Sequence, residues 1–134
     1  MERRAEQPRY FTLEEANRLL PRVRRLVQAL QTQSRELTQL QAELAALGEQ
    51  AGANGHAGRV PQTLARADAR LKEVRGLLGE IEAIGCELKD IRMGLVDFRT
   101  LRGDRAVYLC WRLGEDAIRY WHELDTGFSG RQPL

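Results

Sequence analysis

The sequence predicts an α+β protein that is mainly α: a long, coiled-coil-like antiparallel helical hairpin followed by a small C-terminal β-hairpin and an irregular tail. Three observations predict it. Apolar residues keep heptad spacing from Ala16 to Leu47 and again after Gln62, a glycine-rich segment separates the two stretches, and most aromatic residues follow Gly94. Heptad spacing buries one stripe of a helix against another helix, so two such stretches joined by a loop predict a hairpin.

The first helix is predicted over residues 12–47. Thr12 and Glu15 have the spacing of a capping box, in which each side chain accepts a hydrogen bond from the other residue's backbone N–H. Pro21 removes one helical hydrogen bond and predicts a kink or a break. A two-helix hairpin leaves apolar surface exposed, so the helix is also predicted to self-associate. The predicted contact residues are Val23, Leu26, Leu30, Leu37, Leu40 and Leu44.

The segment 48–62 is predicted to be a flexible loop, because it contains four glycines, an Asn-Gly pair and a proline. The second helix is predicted over residues 63–92, where apolar residues continue the heptad spacing. Gly76, Gly79 and Gly85 each weaken this helix by about 1 kcal/mol relative to alanine. Such glycines usually permit bending or close approach of two backbones.

The C-terminal segment 94–134 is predicted to form a β-rich tail. Residues 107–113 are rich in β-forming side chains, a turn follows at 114–116, and residues 118–124 run back, which is the pattern of a β-hairpin. The whole chain, 1–134, has the length of a single domain.

The composition predicts a cytoplasmic protein without membrane or nucleic-acid partners. The net charge is only +2, no stretch has the apolar length that spans a bilayer, and the first residues lack the apolar region of a signal peptide. Arg18, Arg22 and Arg25 share one helical face, but no aromatic residue lies between them, so a solvated face is favoured over phosphate contact. Cys86 and Cys110 form no CxxC motif and predict reduced thiols.

A zinc or iron site is an alternative for the tail, with Cys110, His122 and Glu123 as ligands. The favoured interpretation involves no cofactor: Cys110 is a small buried residue, and His122 forms a hydrogen bond at the hairpin edge. A nucleophile and base pair is the least favoured reading, since no oxyanion-stabilising feature accompanies the two residues. Cys110 lies opposite residue 120 or 121, and His122 opposite 108 or 109, so their relative faces depend on the register.

A small-ligand site between the tail and the end of the second helix is a further alternative. The candidate ligand-binding residues are Asp97, Arg112, Glu115, Trp121 and Arg131. Arg131 can bind a carboxylate or phosphate with two parallel hydrogen bonds. The favoured interpretation is structural: Arg131 pairs with Asp97 or Glu115 and so holds the C-terminal segment in place.

Several segments of the chain carry a resemblance to one family. They are residues 11–21 (FTLEEANRLLP), 87–90 (ELKD), 94–98 (GLVDF), 109–115 (LCWRLGE), 121–123 (WHE) and 127–133 (GFSGRQP). Together they resemble the bacterial family known as domain of unknown function 2203, over nearly the whole chain. Arg99 stands where that family is expected to have a proline, which leaves the shape of the 99–105 loop open. The resemblance implies a cytoplasmic bacterial protein with a helical hairpin, and it implies no activity.

The sequence therefore favours a non-enzymatic interaction module that self-associates as a homodimer and contacts an unknown protein partner. The alternative is a metal- or ligand-binding protein, or an enzyme, with its site in the tail.

Overall fold

The computed structural model describes residues 7–49 and 58–134. Two helices come first: α1 (Leu13–Glu49) and α2 (Arg59–Ile84). Five strands follow: β1 (Glu87–Asp90), β2 (Leu95–Arg102), β3 (Arg105–Arg112), β4 (Tyr120–His122) and β5 (Gln132–Pro133). The two helices pack together and the strands form one antiparallel sheet, which confirms the predicted α+β class, mainly α. In the described part of the chain, neither helix has the length and apolarity needed to cross a membrane.

The start of α1 has the predicted capping box. The Thr12 N–H donates to Glu15 Oε1 at 2.8 Å, and the Glu15 N–H donates to Thr12 Oγ1 at 3.1 Å. Both bonds use backbone N–H groups that have no partner within the helix, which fixes where the helix begins. The helix continues through Pro21 to Glu49, so the proline does not split it.

The apolar seam of α1 is used within the chain. Of the six predicted self-association residues, four are buried: Val23, Leu26, Leu30 and Leu40. The other two, Leu37 and Leu44, are partly buried. Ion pairs between the helices flank the seam, Glu36 with Arg70 at 3.3 Å and Glu43 with Arg59 at 3.6 Å. The seam therefore faces α2 and the sheet, and the homodimer stays a prediction.

Both predicted ends of the second helix are wrong. α2 begins at Arg59, inside the segment predicted as loop, and ends at Ile84 rather than at Arg92. Residues 87–90 form strand β1 instead of a last helical turn. The remainder of the predicted loop, residues 50–57, lies outside the described residues.

The end of α2 has a physical cause at Gly85. This residue takes φ +98°, a left-handed conformation that glycine adopts readily, and its N–H donates to Glu82 O at 3.0 Å. Arg9 crosses Gly85 and donates from Nη1 to Ile84 O at 2.6 Å. A cation on the last carbonyl groups also complements the helix dipole. The N-terminal segment thereby fixes the point where helix gives way to sheet.

The sheet is a meander in the order β1-β2-β3-β4-β5. The predicted pairing of β3 with β4 is present, in a sheet larger than the predicted hairpin. The longest pair is β2 with β3, which a two-residue turn at Gly103-Asp104 connects, so residues 99–105 are strand and tight turn rather than a loop.

One face of the sheet, the inner face, packs against the helices. Directly paired residues of antiparallel strands project on the same side. Val96 pairs with Trp111 and Phe98 with Leu109, and all four lie in the core with the buried side of α1. Phe11 packs edge-to-face on Phe98, with ring centroids 5.3 Å apart. Alternation places the intervening residues on the opposite, outer face.

Candidate metal centre on the outer face of the sheet

Three side chains with metal-binding chemistry meet on the outer face. Asp97 pairs with Cys110, Cys110 pairs with Tyr120, and Tyr108 pairs with His122. Tyr108 and Cys110 are two residues apart on β3, so they and their partners share a face. The register thus answers the question that the sequence left open: the side chains of Cys110 and His122 lie on the same side of the sheet.

The cluster of Asp97, Cys110 and His122 is tight and buried. One ligand atom from each residue lies within 4.8 Å of the others, and the residues are 1%, 0% and 1% exposed. No second group of three His, Cys, Asp or Glu side chains this close occurs in residues 7–49 or 58–134. The cluster differs from the predicted set, since the Glu123 carboxylate points to Arg105 at 3.0 Å and Asp97 takes its place.

The hydrogen bonds of His122 determine its tautomer. Nδ1 lies 2.6 Å from the backbone oxygen of Glu123, which can only accept, so Nδ1 carries a proton and donates it. Nε2 lies 3.0 Å from both carboxylate oxygens of Asp97. An unprotonated Nε2 and a carboxylate can both only accept, so at this distance a proton or a cation must lie between them. Either one proton is shared by the imidazole and the carboxylate, or a metal ion takes its place.

Burial controls the protonation of the other two members of the cluster. It raises the pKa of the Asp97 carboxyl, although the neighbouring His122 ring acts in the opposite direction. It also raises the pKa of the Cys110 thiol to about 12, and the Asp97 carboxylate adds to that effect. Without a metal, Cys110 is therefore a neutral thiol at physiological pH. A bound divalent cation would displace these protons.

A polar network surrounds the cluster on the β1 side. The Tyr108 hydroxyl donates to Glu87 Oε1 at 2.9 Å and accepts from Arg99 Nη2 at 3.0 Å, and Lys89 Nζ donates to the same Glu87 oxygen at 3.0 Å. Burial acts to raise the pKa of Glu87, but the hydrogen bonds from Lys89 and Tyr108 lower it on balance. The Tyr108 ring lies 5.4 Å from the His122 ring, so this network orients the imidazole from the side.

The C-terminal segment closes the cluster on the opposite side. Arg131 Nη2 donates to Glu115 Oε1 at 2.7 Å and to the backbone oxygen of Cys110 at 3.1 Å. The same guanidinium lies over the rings of Tyr120 and Phe128, at 4.1 and 4.7 Å from their centroids. Of the two partners predicted for Arg131, Glu115 is the one observed.

The five predicted ligand-binding residues do not form one site. Asp97 belongs to the buried cluster, and Glu115 and Arg131 bind each other. Arg112 is exposed at the rim of the outer face, whereas Trp121 lies on the inner face opposite Leu109. The structure therefore does not bring these five side chains together.

Asp97 is the member of the cluster that the predicted metal set of Cys110, His122 and Glu123 does not contain. Its signal is present in the segment Leu95-Val96-Asp97-Phe98, where a carboxylate interrupts a run of apolar residues. Buried carboxylates are rare unless they are paired or bind a metal.

Comparison with known proteins places the chain in a family. Residues 9–134 match the model of a family described as "Uncharacterized conserved protein (DUF2203)", which confirms the resemblance drawn from the sequence motifs. No curated protein and no solved structure matches the chain. The match includes both helices and all five strands, and the chain belongs to the DUF2203 family.

Proposed function

We propose that this chain is a metal-binding protein whose ligands are Asp97, Cys110 and His122. The observation that carries the proposal is their convergence from three adjacent strands, with Nδ1 of His122 already donating to a backbone carbonyl. Metal-bound histidines typically donate their second ring N–H in this way, which leaves the other nitrogen free for the metal. Here the free nitrogen faces a carboxylate and a thiol.

Zinc suits this ligand set best. Zn²⁺ accepts thiolate, imidazole and carboxylate ligands together, and a site with three protein ligands keeps a fourth position for water. Iron is the alternative, because Fe²⁺ accepts the same donors. Structural zinc sites usually have four protein ligands and catalytic sites three, so the ligand number alone resembles a catalytic site. All three residues are buried, however, so a substrate would reach the ion only after local opening of the sheet surface. A zinc ion here would link strands β2, β3 and β4.

Metal analysis of the full chain tests the proposal. The purified protein is stripped with a chelator, reloaded with Zn²⁺ or Co²⁺, and measured by native mass spectrometry and elemental analysis. We expect one metal ion per chain, and thiolate-to-cobalt charge-transfer absorption in the Co²⁺ form. Cys110→Ser should abolish this absorption and lower the metal content.

Cys86→Ser is the matched control for the metal measurement. Cys86 is also a buried, free cysteine, but it lies in the apolar core, where its Sγ hydrogen-bonds to the Ile81 backbone oxygen at 3.7 Å, and it is not a member of the cluster. The control should load like the parent chain. A folded parent that takes up no metal, or a Cys110→Ser variant that loads fully, contradicts the proposal.

A second proposal is that the chain is a non-enzymatic module that self-associates. It is supported by the far half of the helical hairpin, from Leu40 outward, where helix packs only on helix. Two helices cannot cover all their own apolar surface, and Leu64 and Leu78 are exposed on α2. Light scattering over a range of protein concentrations measures the mass. A monomer at every concentration contradicts this second proposal.

A further inference from the structure

We propose that a second copy of this chain docks on an apolar groove at the start of α1 and meets the open edge of strand β2. The inference rests on the proposed self-association and names its surface. The groove, rather than the apolar seam of α1, is the proposed contact surface, because that seam is buried against α2 and is not accessible to a second copy.

The groove gathers four of the seven exposed large apolar side chains of the described residues. It has a volume of about 440 Å³, and its walls include Tyr10, Leu13, Leu101 and Leu134, with Trp121 on the floor. The four wall residues are 44%, 38%, 54% and 52% exposed. The Leu101 side chain projects on the outer side of β2 and borders the groove at the strand edge. Only three other large apolar side chains are comparably exposed within the described residues, and none of them lines the groove. Apolar patches of this kind usually mark contact surfaces.

The strand beside the groove has an unpaired edge. β1 covers β2 only opposite residues 95–97, and beyond it the Phe11 N–H donates to Arg99 O at 2.8 Å. The peptide groups of Arg99 therefore point away from β3, and by the alternation of antiparallel pairing those of Leu101 do as well. In the described chain no backbone group pairs with Leu101 on that side. An edge of this kind accepts another strand.

The charges around the groove are self-complementary. The first turn of α1 is acidic: Glu15 lines the groove and Glu14 is its neighbour in sequence. Arg102 lies at the hairpin tip on the other side, 4.2 Å from the Trp121 ring centroid. Among residues 7–49 and 58–134, neither Glu14 nor Arg102 has an ion-pair partner. In an isologous dimer, a contact between the basic tip of one copy and the acidic turn of the other occurs twice, so the two charges can complement each other across one interface.

The exposed leucines of α2 offer a poorer surface. Leu64 and Leu78 are 14 positions apart, which is roughly 21 Å along a helix. Charged residues such as Lys72 and Arg75 lie between them. Leu78 adjoins the edge strand β1, but Leu64 lies a further three turns or more along the helix. The groove combines apolar area, hydrogen-bonding groups and matched charge in one place, so it is the surface that fits a second copy.

Sedimentation velocity and light scattering of the full chain over a concentration series test the inference. We expect a dimer for the parent chain, and a dissociation constant raised by about tenfold or more in Leu101→Asp. Leu124→Asp is the matched control, because Leu124 is also an exposed leucine but lies outside the groove. Arg102→Glu should weaken the dimer, and adding Glu14→Arg to it should restore the dimer. Circular dichroism of each variant verifies the fold.

Two other outcomes distinguish self-association itself from the groove as its contact surface. A parent dimer that persists in Leu101→Asp and Arg102→Glu, but dissociates in Leu64→Asp with Leu78→Asp, overturns the groove and keeps self-association. A parent chain that is monomeric at all concentrations overturns both.

Discussion

The imidazole of His122 and the carboxylate of Asp97 face each other across strand β3, with Nε2 3.0 Å from both carboxylate oxygens. Both residues are buried, and the other ring nitrogen of His122 already donates to the Glu123 backbone oxygen. Without a metal ion, this pair must share one proton. Substitutions that change the proton count or remove a partner therefore have distinct energetic consequences.

Asp97→Asn should be tolerated, because the asparagine side chain can donate an N–H to Nε2 of a neutral His122. We expect a loss of about 1 kcal/mol or less in the free energy of unfolding. Asp97→Ala leaves Nε2 buried without a partner and should cost about 1–3 kcal/mol. His122→Ala leaves a buried carboxylate unpaired and should cost about 3–5 kcal/mol. Urea unfolding followed by tryptophan fluorescence, with chelator present, measures all three; equal losses would show that the pairing has no energetic role.

Arg131 should control access to Cys110, since its guanidinium holds the C-terminal segment to Glu115 and to the Cys110 backbone oxygen. Arg131→Gln loses the ion pair and the cation contacts with Tyr120. We expect the thiol of Cys110 to react about tenfold faster with an alkylating reagent, through more frequent local opening. The measurement uses metal-free protein in a Cys86→Ser background, where Cys110 is the only cysteine.

Arg119→Gln is the control for the Arg131 experiment. Arg119 pairs with Asp116 at 3.1 Å on the surface and is exposed. Its loss should leave the alkylation rate unchanged. A rate in Arg131→Gln that equals the control would show that the C-terminal segment does not protect the thiol.

Gly94 and Gly103 should respond differently to alanine although their backbones are alike. Their φ angles are +66° and +67°, so alanine is strained by about 1–2 kcal/mol at either position. A Cβ atom at Gly94 would lie 2.5 Å from Leu113 Cβ, whereas one at Gly103 meets nothing within 4 Å. The overlap should add about 1–3 kcal/mol to the cost of Gly94→Ala. Urea unfolding compares the two variants, and equal losses would mean that residue 113 moves aside freely.

Local signals were sufficient to predict much of this fold. The heptad spacing of α1, the capping box at Thr12 and Glu15, and the pairing of β3 with β4 all depend on residues close in sequence. Each signal has one dominant physical cause, such as an unpaired N–H group at a helix start. These elements appear where the sequence predicts them.

The end of α2 depends on a distant residue and could not be predicted in the same way. Gly76, Gly79 and Gly85 are equivalent in a local pattern, yet only Gly85 ends the helix. Its partner at the helix end, Arg9, is 75 positions away in sequence. The apolar spacing of residues 87–90 fits a helix or a strand, and pairing with β2 decides between them.

The buried cluster of the candidate site also depends on contacts between residues distant in sequence, which local patterns do not predict. The sequence predicts that Cys110 and His122 lie near each other but not whether they share a face, because a slip of one residue in the β3–β4 register would place them on opposite faces. Asp97 joins them through a different strand pair, β2 with β3, whose tight turn was not predicted. Both strand registers, β2–β3 and β3–β4, must be known before the three side chains can be assigned to one site.

Stability should fall in alkaline solution, and Cys86 offers a way to test why. Burial raises the pKa of its thiol from 9.0 to about 11. The folded state therefore holds this proton more tightly than the unfolded state does, so the stabilisation is complete below about pH 9 and is lost as the pH rises through about 11. A pKa increase of this size corresponds to roughly 2–3 kcal/mol in the free energy of unfolding.

Cys86→Ala should flatten that pH dependence, because alanine has no proton to lose. Urea unfolding at intervals from about pH 8 to 11 gives the slope for each chain, and slopes rather than absolute stabilities are compared, since alanine also removes apolar contacts. Cys110 and Tyr108 contribute to the remaining slope, because burial raises the pKa of the Cys110 thiol to about 12, and burial and the bond to Glu87 raise the pKa of Tyr108. Tyr108→Phe in the Cys86→Ala background should flatten the profile further. Identical profiles for the parent and Cys86→Ala would mean that the Cys86 thiol has the same protonation in the folded and unfolded states. Burial of Cys86 would then not be a source of the alkaline loss.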